Sequence, residues 1–286
     1  MRVWVVGGTQ GRAAGALHRD HSALYVDGVL AAVLDGELRR VRGGLGRCIK
    51  GAAPAAEGLW VAGGGAVRRV HDAQVVDVVR DPGFEDVHHA AVLGGRLHVA
   101  STGTDAVWSA ETGWTSVGGS AQRAHPNHLF AVAGRRFVTR GLRGDALGLD
   151  DGAVWPLAPV VVHDGVVRPD GVWFTSVDGA LICVDPETGE VVRRVDLTAI
   201  DDRPAPLGWC RGLAFVDGIA LVGFTRLRAT RMRQRLAWVR GQLRGQQIAS
   251  AHPTRVAAYD LGSGQKRGEV VTEAAGLDAV FGLLPG

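Results

Sequence analysis

Lysine is nearly absent from the 286-residue chain, in which only Lys50 and Lys266 accompany thirty arginines. The formal net charge is +3, so basic and acidic side chains nearly balance. A nucleic-acid-binding domain has a clear excess of basic charge on one face. A GC-rich coding sequence explains the excess of arginine, alanine, glycine and valine more simply. We therefore expect no nucleic-acid partner.

Cysteine and long apolar runs are also scarce. The three cysteines, Cys48, Cys183 and Cys210, form no C-x-x-C motif, and their odd number argues against a disulfide framework. No window of about 18 residues is apolar throughout, so the sequence predicts no membrane span. The N-terminal sequence MRVWVVGGT lacks the pattern of a secretory signal. We therefore expect a cytoplasmic protein.

Glycine, by contrast, is abundant, with 42 residues, and the hydrophobic fraction is 46%. A disordered glycine-rich chain would lack that apolar content, and collagen would place glycine at every third position. The apolar runs are short, rich in valine and separated by Gly or Asp-Gly, as in RLHVAST (96–102) and GVWFTS (171–176). These runs predict β-strands joined by tight turns.

A repeat of about 40 residues organises these runs. Each unit opens with a polar pair, continues with small and apolar residues, a turn and a second apolar run, and then carries a later hairpin. Two hairpins give four strands, which is the blade of a β-propeller. The five complete openings begin at Lys50, His88, Asn127, His163 and Arg211.

The sixth blade is predicted from both ends of the chain. The C-terminal GLDAVFGLLPG resembles an opening strand, and RVWVVGG near the N-terminus would be the second strand. SALYVD and LAAVLD would then be the third and fourth strands. The prediction is an all-β chain, a single six-bladed β-propeller over residues 1–286, closed by N- and C-terminal strands in one blade.

Residues 226–255 break the repeat. Apolar residues from Met232 to Leu243 recur at helical spacing, and the range contains no acidic residue. This predicts a basic helical insertion between the second and third strands of one blade. Two roles stay open for it: an excursion whose apolar face lies on the propeller, or a lid or homodimer contact whose arginines meet an anionic substrate group.

The first strand of each propeller blade lines the central channel, so the polar openings are expected to converge on one axis. Because side chains alternate along a strand, only one member of each polar pair is expected to face the channel. Both phases stay open. One phase contains His88, Asn127, His163 and Arg211, and the other contains His89, His128, Asp164 and Asp278.

Histidine is concentrated in three consecutive openings, and converging imidazoles suit a divalent transition metal such as zinc, iron, copper or manganese. The alternative is that these histidines bond to each other, to the backbone and to channel water. The preferred metal ligands are His89, His128 and His163, with His88 as the main substitute and Cys48 and Cys210 as secondary candidates.

Arg211 is expected on a buried strand, where an arginine needs an anion: a protein carboxylate, or a carboxylate or phosphate of a substrate. Asp86, Asp164 and Asp278 are the candidate internal partners, and Asp86 is also placed to orient an imidazole. As catalytic residues we predict Arg211, His88 and Asp164.

The phrases DVHHAAVLGGRLHVASTG, HPNHLFAVAGRRFVTR and GWCRGLAFVDGIALVGFTRLR resemble recurring phrases in a group of uncharacterised bacterial six-bladed propeller proteins. The resemblance covers about residues 84–228 and implies the fold more than an activity. More remotely, the arrangement is similar to metal-dependent propeller lyases, in which axial histidines hold a metal. Propeller lactonases of the gluconolactonase type instead use Glu, Asn and Asp at the axis, and the histidine-rich openings of this chain depart from that pattern.

The leading expectation is a metal-dependent lyase, cyclase or isomerase that acts on a small anionic substrate at the channel, in specialised metabolism. Hydrolysis ranks lower because the sequence shows no separate nucleophile and base pair. The alternative is a non-catalytic propeller that presents its faces to a protein partner.

Overall fold

The computed structural model describes residues 2–11, 25–34, 36–119, 123–227 and 252–286. Within these ranges the chain forms six four-stranded antiparallel sheets. The strands are β1 (Arg2–Gln10), β2 (Tyr25–Leu34), β3 (Glu37–Arg42), β4 (Ile49–Pro54), β5 (Leu59–Gly63), β6 (Ala66–His71), β7 (Gln74–Val79), β8 (Val87–Leu93), β9 (Arg96–Ser101), β10 (Ala106–Ser109), β11 (Gly113–Ser116), β12 (Pro126–Val132), β13 (Arg135–Arg140), β14 (Asp145–Gly148), β15 (Val154–Pro156), β16 (Val162–Arg168), β17 (Gly171–Ser176), β18 (Ala180–Val184), β19 (Val191–Asp196), β20 (Trp209–Val216), β21 (Ile219–Thr225), β22 (Arg255–Asp260), β23 (Gln265–Val271) and β24 (Ala279–Pro285).

The six sheets form one closed ring, which confirms the predicted six-bladed propeller. Blades 1 to 5 follow the chain as β4–β7, β8–β11, β12–β15, β16–β19 and β20–β23, and blade 6 has the order β24-β1-β2-β3. Each innermost strand contacts the innermost strand of the next blade, and the last of these contacts joins β24 to β4. The N- and C-terminal strands therefore share one blade, as predicted.

The predicted division of the rest of blade 6 is wrong. Tyr25–Leu34 is one continuous third strand, and Glu37–Arg42 is the fourth. The Asp-Gly pair inside the third strand makes no turn, because Gly28 pairs with Gly8 in the sheet. A Cβ atom at Gly28 would lie 2.9 Å from the backbone nitrogen of Ile49. Glycine at this position therefore allows blade 1 to approach.

Apolar side chains of the inner strands fill the space between neighbouring sheets. Between blades 4 and 5, for example, Trp173, Phe224 and Tyr259 are fully buried. The fourth strands face outward, and β19 is exposed at nearly every position. The helical turns that the structure describes are short 3-10 turns such as Leu197–Ala199, and no helix in the described ranges is long and apolar enough to cross a membrane.

The predicted insertion lies mostly outside the described residues. Thr225 ends the second strand of blade 5 and Arg255 begins the third, so the segment joins the two strands that the sequence predicts. The proposed helix, with its role as lid or homodimer contact, falls on residues 228–251, which lie outside the described ranges. Arg255 belongs to the blade, because its buried side chain donates a hydrogen bond to the carbonyl oxygen of Leu207.

Candidate functional site

A β-bulge interrupts the innermost strand of every blade. In β8, Val87 pairs with Ser101 and His89 pairs with Ala100, so that His88 is an extra residue without a cross-strand partner. A bulge of this kind places two residues opposite one and changes the direction of the side chains. The residues at the six bulges are Lys50, His88, Asn127, Asp164 with Gly165, Arg211 with Gly212, and Phe281.

The bulges overturn the expectation that only one member of each polar pair reaches the channel. His88 lines a wide channel cavity and the adjacent His89 lines a narrow one, because strict alternation fails at an extra residue. The residues at the bulges come from both predicted phases. Asp278 is not among them: it precedes β24 and accepts a hydrogen bond from the Gln10 N–H at 2.8 Å. Phe281 lies at the bulge of β24, the channel position that was expected for Asp278.

The wide cavity has a volume of about 220 Å³. Its walls come from blades 1, 2, 5 and 6 and from the segments that precede β8 and β12. Aromatic surface and charged groups therefore meet in one small space. Its lining includes Lys50, Asp86, His88, Trp209, Arg211 and Phe281.

Lys50, Asp86 and His88 form a charged cluster across blades 1 and 2. The Lys50 ammonium donates a hydrogen bond to Asp86 and lies 3.0 Å from His88 Nε2. His88 Nε2 lies 3.3 Å from the second carboxylate oxygen of Asp86. Lys50 and His88 are 4% and 2% exposed. A lysine buried to this extent requires its carboxylate partner.

Arg211 approaches the same imidazole from the opposite side. A guanidinium N–H donates to His88 Nδ1 and to the Lys50 carbonyl oxygen, each at 3.4 Å, and the group lies 4.9 Å from the centre of the Phe281 ring. Arginine and lysine can only donate hydrogen bonds, so Arg211 favours an unprotonated Nδ1 and Lys50 favours an unprotonated Nε2. Asp86 can only accept, so it favours a proton on Nε2. The competition between Lys50 and Asp86 at Nε2 therefore sets the tautomer of the neutral imidazole.

The cavity shifts the pKa values of His88, Asp86 and His125. Burial, followed by the charge of Lys50, lowers the pKa of His88 well below its ordinary value. Burial alone would raise the pKa of Asp86, but His88 and Lys50 outweigh burial and hold that pKa below its ordinary value. His125, whose ring centre lies 4.7 Å from that of His88, has a pKa lowered to about 3 by burial and by Arg211. At neutral pH the imidazoles are neutral and Asp86 is ionised.

His89 does not fit the predicted role of a metal ligand. Its Nε2 lies 3.2 Å from the carbonyl oxygen of Ala52, and its Nδ1 accepts the N–H of Leu129 at 3.1 Å. Both ring nitrogens are therefore bonded to the backbones of blades 1 and 3, and the ring stacks on His128 at 4.0 Å. Burial lowers the pKa of His89 to about 4. His89, which belongs to blade 2, thereby links blades 1, 2 and 3 by hydrogen bonds.

Two other predicted ligands, His128 and His163, line the same narrow cavity as His89. Cys48 and Cys210 are buried, and burial raises the pKa of the Cys210 thiol well above its ordinary value. In the part of the chain that the structure describes, no group of three or more His, Cys, Asp and Glu side chains is arranged to hold a metal ion. The described residues therefore give the predicted ligand set no support as a metal site.

His163 lies apart from the wide cavity, in a narrow one of about 10 Å³. The residue is 2% exposed, and neither ring nitrogen has a hydrogen-bond partner among the described residues. Asn127 lines the same space; its Nδ2 donates to the Val162 carbonyl oxygen at 2.8 Å, whereas its Oδ1 has no partner in the described ranges. Burial, followed by Arg211, lowers the pKa of His163 well below its ordinary value.

Asp164 acts on the site through the backbone. Its Oδ2 accepts the Thr175 hydroxyl at 2.6 Å and the Gly212 N–H at 3.0 Å. Gly212 directly follows Arg211 in the bulge of β20, so this carboxylate ties blade 4 to the residue that carries the guanidinium. Burial raises the pKa of Asp164. Asp164 is therefore a positioning residue in this geometry, whereas Arg211 and His88 line the cavity.

Sequence reasoning placed Arg211, His88 and Asp86 near the axis, and the structure brings them together. It missed His125, which precedes its strand, Trp209, which begins β20, and Phe281, which resembles any apolar strand residue. The sequence HPNH contained a usable signal, since His125 lies only two residues before the polar opening at Asn127. No comparable signal marks Phe281.

Comparisons with known proteins support the fold and leave the activity open. No protein-family model matches the sequence, and no curated protein matches it. The structure is similar to a protein of unknown function from Bacteroides caccae, with a TM-score of 0.67, 13% identity and coverage of 99% of this chain and 97% of that chain. It is also similar to a chain of the nidogen/laminin complex, with a TM-score of 0.59, 10% identity and coverage of 99% and 97%.

A more distant match is virginiamycin B lyase from Staphylococcus aureus. Its TM-score is 0.48 at 11% identity, with coverage of 68% of this chain and 69% of that chain. This match carries no argument about the chemistry of this chain.

Proposed function

We propose that the chain is an enzyme that binds a small anionic substrate in the wide cavity and transfers a proton through His88. The observation that carries this proposal is one neutral imidazole held between Asp86 and Arg211, in a cavity that also contains Lys50. Reactions of the lyase, cyclase or isomerase type fit the arrangement, because each removes and returns a proton on a substrate held in place.

The charges of the cavity support an anionic ligand. Lys50 and Arg211 bring two positive charges, and Asp86 brings one negative charge. An excess positive charge attracts an anion more strongly in a protein interior than in bulk water. The planar guanidinium also presents paired N–H groups that match a carboxylate or a phosphate. Trp209 and Phe281 would contact the apolar part of the molecule.

Anion binding would also release the base. In the structure, Arg211 donates to His88 Nδ1. When the guanidinium turns to an anionic group, the lone pair of Nδ1 becomes available to accept a proton from the substrate. In the tautomer with its proton on Nε2, the imidazole donates to Asp86, which would stabilise the imidazolium that forms. The three side chains thereby couple substrate binding to proton transfer.

The first test measures anion binding by isothermal titration with inorganic phosphate and with butyrate. We expect Arg211→Gln to weaken binding of at least one of these anions tenfold or more, because the substitution removes the guanidinium. Arg39→Gln is the matched control, since Arg39 is exposed and pairs with Glu37 on the outer strand of blade 6; it should leave the affinity unchanged. Equal affinities in the wild type and Arg211→Gln would contradict the proposal, as would a wild type that binds neither anion.

A second measurement follows His88 itself by ¹⁵N NMR. A bound anion favours the charged form of a nearby imidazole. Saturation with the tighter anion should therefore move the titration of His88 to higher pH, and Asp86→Asn should reduce that shift. An anion that binds without moving the His88 titration would place the ligand elsewhere and leave the non-catalytic, protein-binding propeller as the better account.

A further inference from the structure

The narrow channel cavity contains polar atoms that the described residues leave without partners. His163 and Asn127 are 2% and 3% exposed. Both ring nitrogens of His163 and the Oδ1 atom of Asn127 have no hydrogen-bond partner in the described ranges. A buried polar group without a partner costs about 1–3 kcal/mol. Two such residues on one small cavity therefore indicate a site for a missing polar group.

The size of the cavity limits what this group can be. The volume of about 10 Å³ is on the order of the space that one water molecule needs. The narrow cavity shares Lys50, Arg211 and Phe281 with the wide cavity, so the two are neighbours along the channel. A molecule with its anionic group on Arg211 can therefore place one further small group against His163.

The hydrogen-bonding character of the walls limits it further. The amide nitrogen of Asn127 donates to the Val162 carbonyl oxygen, so the atom that faces the cavity without a partner is the amide oxygen, which can only accept. The neutral His163 ring offers one N–H donor and one acceptor nitrogen. The missing group must donate to the amide oxygen and can also bond the imidazole. A hydroxyl group or a water molecule does both, whereas a methyl group does neither and a carboxylate cannot donate.

We propose that the substrate is a hydroxylated anion, and that His163 and Asn127 bind its hydroxyl group in the narrow cavity while Arg211 binds its anionic group. A water molecule takes the place of the hydroxyl when no substrate is bound. This inference rests on the proposed function, since it requires an anion in the wide cavity, and it narrows the substrate class. His163 is then a specificity-determining residue.

The test compares butyrate with 2-, 3- and 4-hydroxybutyrate, which differ only in the presence and position of one hydroxyl group. We expect wild-type protein to bind at least one of the hydroxylated acids about tenfold or more tightly than butyrate. His163→Phe removes both nitrogens, so it should abolish this preference while the affinity for butyrate is retained. His163→Gln keeps a donor and an acceptor and should retain part of the preference.

The outcomes separate this inference from the proposed function. If Arg211→Gln loses butyrate binding but the wild type shows no preference for any hydroxylated acid, the inference falls and the proposed function stands. The same holds if the preference survives in His163→Phe. If no anion binds in the Arg211-dependent manner, both fall. Should His163→Phe fail to fold, the ¹⁵N resonances of His163 in the wild type decide, because the preferred hydroxylated acid must shift them and butyrate must not.

Discussion

At the scale of single residues, the histidines of the channel make the folded state sensitive to protons. Burial lowers the pKa of His88, His128 and His163 well below the ordinary value of 6.5, that of His89 to about 4 and that of His125 to about 3. Below about pH 6.5 the unfolded chain therefore binds more protons than the folded chain. The free energy of unfolding must then decrease as the pH is lowered. For His89 alone the loss is about 3 kcal/mol on reaching pH 4.

We predict that His163→Phe flattens this dependence. The wild type should be most stable above about pH 6.5 and should lose stability steeply as the pH falls toward 5. Removal of one titrating imidazole should reduce the slope by up to about 1.4 kcal/mol per pH unit. Urea unfolding at several pH values between 7.5 and 5 measures the slope.

The control for this prediction is Trp209→Phe, which changes a neighbouring aromatic side chain without removing a titratable group. Its slope should match that of the wild type. Asp164 has the opposite effect on the pH dependence of stability, because burial raises its pKa. It is a single group, whereas five histidines have lowered pKa values. If His163→Phe and the wild type have the same slope, His163 is not held in its neutral form by the fold.

At the scale of elements, the bulge in each innermost strand decides which residues meet. Strict alternation along a single strand predicts one channel residue per polar pair, and alternation alone does not reveal an extra residue opposite the second strand. The consecutive polar residues in the openings were the available signal. In a regular strand, one member of each pair, such as His88 and His89, would lie in the apolar space between blades at a cost of a few kcal/mol.

The Asp164 carboxylate gives the bulges of β16 and β20 a fixed relation to each other. Asp164→Ala leaves the Gly212 N–H and the Thr175 hydroxyl without their acceptor. We expect it to lower the free energy of unfolding by about 2–6 kcal/mol, since each of the two groups left without a partner costs about 1–3 kcal/mol. It should also weaken anion binding severalfold, because the backbone next to Arg211 is no longer held. Urea unfolding and isothermal titration measure the two effects.

Two further variants separate positioning from stability. Thr175→Val removes only the hydroxyl bond, so it should lower stability without changing the affinity for anions. Asp164→Asn keeps one oxygen acceptor, and asparagine tolerates the positive φ of 65° at this position. This variant should therefore bind anions more tightly than Asp164→Ala does. An Asp164→Ala protein with unchanged anion affinity would show that the carboxylate serves stability alone.

At the scale of the whole molecule, the repeat predicts which residues converge on the channel axis but not which of their atoms form hydrogen bonds. Lys50 and His88 are 38 positions apart and lie 3.0 Å from each other, whereas Arg211 reaches the same ring from 123 positions away. A period of about 40 residues therefore predicts both the propeller and the set of axial residues. The pairing of atoms depends on the register between blades, and single-strand patterns contain no information about that register. For the same reason, the sequence could not show that both ring nitrogens of His89, a predicted metal ligand, are bonded to the backbone of other blades.

The ring itself depends on β24, the innermost strand of blade 6. This strand buries Val280, Phe281 and Leu283, and it contacts the innermost strands of blades 1 and 5. Deletion of residues 279–286 would expose these side chains and open the ring, so we predict that the shortened chain loses its cooperative thermal unfolding transition and its affinity for anions.

A rearranged chain tests whether closure or chain order matters. Gly286 donates its N–H to the Arg2 carbonyl oxygen at 3.0 Å, so a short glycine-rich linker can join residues 279–286 ahead of Arg2. This chain contains the same strand in the same place but breaks the connection between Asp278 and Ala279. It should recover cooperative unfolding, with a Tm within several degrees of the wild type, and anion binding. If the shortened chain unfolds like the wild type, five blades and an incomplete sixth are enough to hold Lys50, His88 and Arg211 together. If the rearranged chain does not recover cooperative unfolding, the chain connection at Asp278, which also accepts a hydrogen bond from Gln10, is needed to set the register of the closing blade.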